Sequence, residues 1–173
     1  MTLLSPTETI ILGIVAEQPT HGYDINKVLE IRNVRKWADI GFSSIYYVLD
    51  KLESKKLVTS DTSSGKEQKK YSITNLGKST LTDQSASFIA NRYPAYTHLM
   101  TGLATSGSLR DDEMLLNLKE RLKLLRSDLA NLKIAQERGG SVNNQARMLF
   151  ELSIALLKAE ISWIKKEIER NMP

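Results

Sequence analysis

The sequence predicts a mainly α-helical chain in two parts. An amino-terminal winged helix-turn-helix with a small two- or three-stranded antiparallel wing is followed by a carboxy-terminal helical hairpin or coiled coil. Three observations predict this. The stretch from Gly41 to Ile73 changes from an apolar period of 3.6 over Ser43 to Glu53 to a period near two over Leu57 to Ser60 and Lys70 to Ile73. Two shorter helical patterns precede it. Beyond Ser108, leucines recur in alternating steps of three and four at Leu115, Leu118, Leu122, Leu125, Leu129 and Leu132, a heptad seam. The expected division is a winged domain over 1–90, an aromatic linker over 91–107 and a helical dimerisation domain over 108–173.

The first helix is announced by Ser5-Pro6-Thr7-Glu8, with Ser5 as cap, Pro6 in the first turn and Glu8 placed to close a capping box. Ile10, Ile11, Ile14 and Val15 give it an apolar face, and Gln18-Pro19-Thr20 ends it because proline cannot continue a helix. A support helix is expected from Gly22 to about Ile31, with Tyr23, Ile25, Val28 and Leu29 available to a core and Asp24 favoured in the first turn. Asn33 to Phe42 is a connector carrying Arg35, Lys36 and Trp37.

The next helix is expected to start with Ser43 as N-cap. Ile45, Val48, Leu49 and Leu52 share its buried face, while Ser43, Tyr47, Asp50 and Ser54 point the other way, with Ser44 and Lys51 on a flank. That outer face is only weakly polar, as a surface entering a DNA groove requires. A hairpin with Lys66, Lys69 and Lys70 at its tip follows, where phosphate contacts are expected to position the protein without specifying sequence. Ser43, Ser44, Tyr47 and Lys51 are therefore candidate groove contacts, with Tyr47 the base reader and Tyr46 a packing residue. At the start of the support helix His21 and Tyr23 are candidate phosphate contacts, with packing an equal alternative for Tyr23.

After the wing, Thr74 caps a helix running through Leu81 and Phe88 to about Arg92, before Pro94 interrupts it. Tyr93 to Met100 is the most aromatic stretch, and Thr105 to Ser108 has loop composition. Trp37, Phe88, Tyr93, Tyr96 and Trp163 either line a cavity for a small aromatic effector or simply pack. Ser108 or Asp111 is expected to cap the leucine helix, Gly139-Gly140-Ser141 to break it, and a final helix to repeat the seam through Ala146, Phe150, Ile154, Leu157, Ile161, Ile164 and Ile168. Leu149, Leu152, Leu156 and Trp163 widen that stripe beyond what one partner helix covers. Leu118, Leu122, Leu125, Leu129, Phe150, Leu157, Ile161 and Ile164 are thus expected to dimerise the chain, although the seam can also close within it.

Bulk properties constrain the function less than these patterns do. The 173 residues contain no cysteine and two histidines, His21 and His98, which disfavours a disulfide framework or a zinc site, and no cofactor is expected. There is no signal-peptide pattern and no apolar run near ~20 residues, so a cytoplasmic protein without membrane attachment is expected. A net charge of +4 permits polyanion binding without arguing for it. An enzyme is disfavoured: a glycine-rich phosphate loop, a carboxylate cluster at ligand spacing and a serine elbow are all missing.

Three runs, Thr20 to Ile25, Ser44 to Val58 and Lys70 to Gly77, resemble the PadR-like family of bacterial transcriptional regulators. The resemblance is close in the first half. In the second half it is similar in layout to the longer-tailed branch that includes virulence-activator-like members. It implies a homodimer, usually a repressor, on an inverted-repeat operator of double-stranded DNA, released in some members by a phenolic or other aromatic small molecule. The residue types at Tyr47 differ among members, so a target sequence does not transfer. The competing reading is a winged helix whose exposed face binds another protein, with its lysines incidental.

Overall fold

The computed structural model describes residues 3–38, 40–61, 69–93, 97–138 and 143–170. Two compact units divide the chain, Met1–Pro94 and Ala95–Pro173. The first contains α1 (Pro6–Glu17), β1 (Thr20–His21), α2 (Gly22–Ile31), a 3-10 turn at Val34–Lys36, α3 (Phe42–Ser54), β2 (Val58–Asp61), β3 (Lys70–Ile73) and α4 (Asn75–Ala90). The second contains α5 (His98–Ala104), a 3-10 turn at Ser106–Ser108, α6 (Asp111–Arg138) and α7 (Asn144–Arg170). The mainly helical class with a small antiparallel sheet is as the sequence predicts.

The start of α1 is the expected capping box: the Glu8 amide donates to Ser5 Oγ at 3.2 Å, and the Ser5 amide donates to Glu8 Oε2 at 2.7 Å. At its other end Gln18, preceding Pro19, is forced into extended backbone. That extension carries into Thr20–His21, which pairs with β3 as a third strand, giving the sheet order β1-β3-β2. Ile11, Leu12 and Val15 of α1 meet Ile25 and Leu29 of α2 and Ile45, Leu49 and Leu52 of α3 in one core, closed below by Leu57, Val58 and Tyr71 of the wing.

The start of α3 differs from expectation. Its N-cap is Gly41, without a side-chain cap bond, because the Ser44 amide donates to the Gly41 carbonyl and Phe42 already stacks edge-on against Tyr46 one turn ahead. Ser43 is consequently an exposed first-turn residue rather than the cap. The end of α3 is a Schellman motif: the Lys56 amide donates to the Glu53 carbonyl and the Leu57 amide to the Leu52 carbonyl, with Lys56 in the left-handed region at φ 59°. Leu57 is taken up in this stop, so β2 begins one residue later than its apolar pattern suggests.

Thr74 caps α4 as expected, accepting from the Gly77 amide at 2.9 Å. The same hydroxyl donates to the Lys56 and Leu57 carbonyls, tying α4 to the end of α3. Gly77 sits so close to the Leu57 carbonyl that a Cβ has no room there. The helix ends at Ala90, two residues before the expected Arg92. The stretch expected as linker contains α5, capped by Thr97. Ser108 and Asp111 do not cap α6: Asp111 is its first residue, and the Arg110 amide donates to Glu113 Oε2 at 3.0 Å. The expected glycine break at 139–141 lies outside the described residues.

In the second unit α6 and α7 form an antiparallel hairpin. Leu118, Leu122 and Leu125 are buried against Ile164 and Ile168, with Leu157 and Ile161 packed alongside. Arg121 and Glu160 join the two helices at 2.6 Å. Leu118, Leu122, Leu125, Leu157, Ile161 and Ile164, all expected at a dimer seam, thus pack within the hairpin of one chain, because its antiparallel course brings both heptads onto the same line. Leu129 and Phe150, further along, are half-buried. What stays outside is a second stripe on α7, Leu149, Leu152, Leu156 and Trp163. Among the described residues no helix is long and apolar enough to cross a membrane.

Two substitutions check these local arguments by thermal denaturation. Gly77→Ala should destabilise the first unit by roughly 2 kcal/mol, since its methyl group meets backbone that cannot move aside. Lys56→Gly should stabilise it by up to about 1 kcal/mol by relieving the left-handed strain.

Candidate nucleic-acid interface

With Ile45, Val48, Leu49 and Leu52 all buried, α3 presents the opposite side to solvent. Ser43 and Asp50 are exposed, Tyr47 is 68% exposed, and Ser44 is half-buried on the flank. Tyr46, expected to pack, lies directly over Gly22 at the start of α2 and against Phe42, yet keeps 44% of its surface exposed. A Cβ at position 22 would collide with that ring, so glycine there leaves room for Tyr46 to lie over the start of α2.

The lysines beside this face are not all free. Glu8 is buried, and its Oε1 accepts from Lys55 Nζ at 2.8 Å and lies 3.0 Å from Lys51 Nζ. Burial pushes the carboxyl pKa up, but hydrogen bonds from Lys55, the Ser5 amide and Lys51 outweigh it and hold the group at about 2. The same contact raises the Lys51 pKa. Lys51, expected as a groove contact, is therefore half engaged with α1, sharing the Glu8 carboxylate with Lys55, which the sequence pattern did not single out. Only the fold reveals this, because Glu8 and Lys55 are 47 residues apart.

At the base of the wing, Glu53 of α3 accepts from the Ser60 hydroxyl at 2.5 Å and the Ser60 amide at 3.2 Å, and pairs with Lys69 Nζ at 3.4 Å. The Ser60 hydroxyl is the main cause of a lowered Glu53 pKa, opposed by burial and aided by Lys69. His21 Nδ1 is 3.2 Å from the Lys69 carbonyl, which can only accept, so the ring donates from Nδ1. Lys70 is exposed at the start of β3. Tyr23 is 51% exposed and carries Lys27 Nζ over its ring at 4.5 Å, a cation the sequence pattern did not single out. Lys66 and the rest of the wing tip lie outside the described residues. In the connector, Arg35 braces the backbone, donating to the Ile40 carbonyl at 2.8 Å and to Asn26 Oδ1 at 2.6 Å.

Of the aromatics considered for an effector, Trp37 is 54% exposed. Phe88 and Tyr93 meet edge-on with centroids 5.6 Å apart, and the Tyr93 hydroxyl is 3.1 Å from Ser87 Oγ. Tyr96 lies outside the described residues. Trp163 belongs to the second unit, where with Leu103, Leu109, Met114 and Leu118 it borders a cavity of about 220 Å³. Among the described residues no group of acids or histidines is arranged to hold a metal ion.

A support helix, a following helix with one face buried and the other bare, and an antiparallel wing define the class as a winged helix-turn-helix. The family model "Transcriptional regulator PadR-like family" matches residues 11–83. An uncharacterised protein of Lysinibacillus sphaericus is 32% identical over 79 residues, covering 44% of this chain and 72% of that protein. The chain belongs to the PadR-like family, whose members are transcriptional regulators rather than enzymes. The fold extends beyond the matched region. Bacillus subtilis PadR in complex with operator DNA is 20% identical, covers 97% of this chain and 100% of its own, and has a TM-score of 0.75. The same protein has also been solved with p-coumaric acid, at 20% identity and a TM-score of 0.75 over 95% of this chain and 97% of that one. The Vibrio cholerae virulence activator AphA is 18% identical over 94% of this chain and 96% of its own, with a TM-score of 0.72.

The Glu8 carboxyl yields a pH prediction. Its folded-state pKa, about 2, lies below the ordinary 4.5, so its contribution to stability is complete above the ordinary value and is lost as pH falls from there towards the folded one. Glu8→Gln should cost about 3 kcal/mol or less at neutral pH and flatten this acid limb, as seen in melting curves recorded across that range.

Proposed function

We propose that the chain regulates transcription by inserting the exposed face of α3 into the DNA major groove, working as a homodimer on an inverted repeat. The observation that carries this is Tyr47, exposed at the middle of a helix whose opposite face is entirely core, with Ser43 and Ser44 one turn before it. A helix held this way offers hydrogen-bonding side chains to base edges. Lys66 and Lys70 are assigned to phosphates, with Lys51, Tyr23 and His21 at the margins of the contact.

The dimer is assigned to the outer stripe of α7, since Leu149, Leu152, Leu156 and Trp163 present more apolar surface than the hairpin covers. Two copies would space their α3 helices for half-sites about one turn, ~34 Å, apart. Occupying an operator requires no chemistry, so repression is the proposed sign. A small aromatic effector is proposed for the cavity beside Trp163.

Binding to duplexes from the DNA flanking its own gene, titrated by anisotropy at several salt concentrations, tests the reading; failure to bind any duplex at low salt refutes it. Tyr47→Ala should change sequence preference, whereas Lys70→Ala should weaken every duplex alike and reduce the salt slope by roughly 0.9. Leu156→Glu should give monomers in sedimentation and lose operator binding, while Leu122→Glu should unfold the hairpin itself.

A further inference from the structure

Glu53 stands at the last turn of α3, just before the Schellman stop, and both of its oxygens reach across to the wing. One accepts two hydrogen bonds from Ser60, on β2; the other faces the Lys69 ammonium, at the entrance to β3. Its side chain is about one-third exposed, so these bonds are partly shielded from water. From the opposite side, His21 of β1 holds the Lys69 carbonyl. The two ends of the wing's tip segment, Ser60 and Lys69, are thus each bonded to a carboxylate on the helix that reads DNA.

We propose that Glu53 is a positioning residue that moors the wing to α3, so that tip and helix meet DNA at a fixed mutual angle, and that Lys69 is part of this mooring rather than a phosphate contact. The proposal rests on the DNA-binding reading above. Physically, a ribbon of two four-residue strands, flanked only by the two-residue β1 along β3, is marginal on its own and needs further support to hold its direction. The core supplies that support through Val58 and Tyr71 on one face. Glu53 supplies it at Ser60 and Lys69. A carboxylate close to a DNA-binding face repels phosphate, so a purely electrostatic role would make its removal improve binding to any duplex equally.

The test compares the full-length protein with Glu53→Ala and Glu53→Gln. Amide hydrogen exchange is measured without DNA, and anisotropy is measured on the duplex flanking its own gene and on a scrambled duplex. Glu53→Ala should speed exchange of the Lys70, Tyr71 and Ser72 amides by roughly tenfold while α1 and α2 amides are unaffected, and should reduce discrimination between the two duplexes by a similar factor. Glu53→Gln keeps an acceptor for Ser60 and should fall between. Lys69→Met should leave the salt slope unchanged, in contrast to Lys70→Met. Unchanged wing exchange, or equal tightening on both duplexes, overturns the mooring. If the wild-type protein binds neither duplex the proposed function fails instead, and the exchange measurement still decides whether Glu53 holds the wing.

Discussion

The structure of the first unit follows from one requirement on α3: four side chains on a narrow face must be wholly buried while the rest of the helix stays bare. Ile45, Val48, Leu49 and Leu52 satisfy it by sitting between α1, α2 and the start of the wing. A helix buried on so little of its circumference cannot be held by apolar contact alone at its ends. The ends are accordingly fixed by other means, with Tyr46 lying over Gly22 near the start and a Schellman stop leading into β2 at the finish. The absence of a Cβ at Gly77 then lets α4 press against that stop.

Two glutamates carry the polar half of this arrangement. Glu8 ends a capping box on one side and takes Lys51 of α3 and Lys55 at its C-cap on the other, so the carboxylate that starts α1 also sets how α1 lies on the end of α3. Glu53 does the equivalent for the wing. Burying a carboxylate is costly unless its charge is met by good donors, and each of these has them. The consequence for function is that positive charge near α3 is divided. Lys55 is committed to structure, Lys51 and Lys69 are partly so, and Lys70 stays exposed.

Much of the fold was legible because it is written locally. The capping box at Ser5 and Glu8, the span of α2, the buried face of α3 and the Thr74 cap each depend on residues within a turn or two of one another. The misplacements share a cause. Ser43 has the composition of a cap, but the Phe42–Tyr46 contact draws the helix back to Gly41. The short α5 shows no sustained apolar period, having a glycine at 102 and few core residues. The leucine seam is periodic whether its partner is another subunit or its own hairpin, and periodicity does not distinguish the two. Likewise Lys51 has the same spacing whether or not a carboxylate from α1 sits beside it.

The sequence alone therefore determined most of the helices, the two longer strands of the wing and the buried face of α3, since these are set by spacing and by short-range hydrogen bonding. The tertiary structure decided which charges are free, which heptad is spent inside the chain and which stripe of α7 is left over. It also brought Glu53 of α3 against Ser60 and Lys69 of the wing. Those outcomes depend on contacts between groups far apart in sequence, and burial and ion pairing are properties of where the chain brings them together.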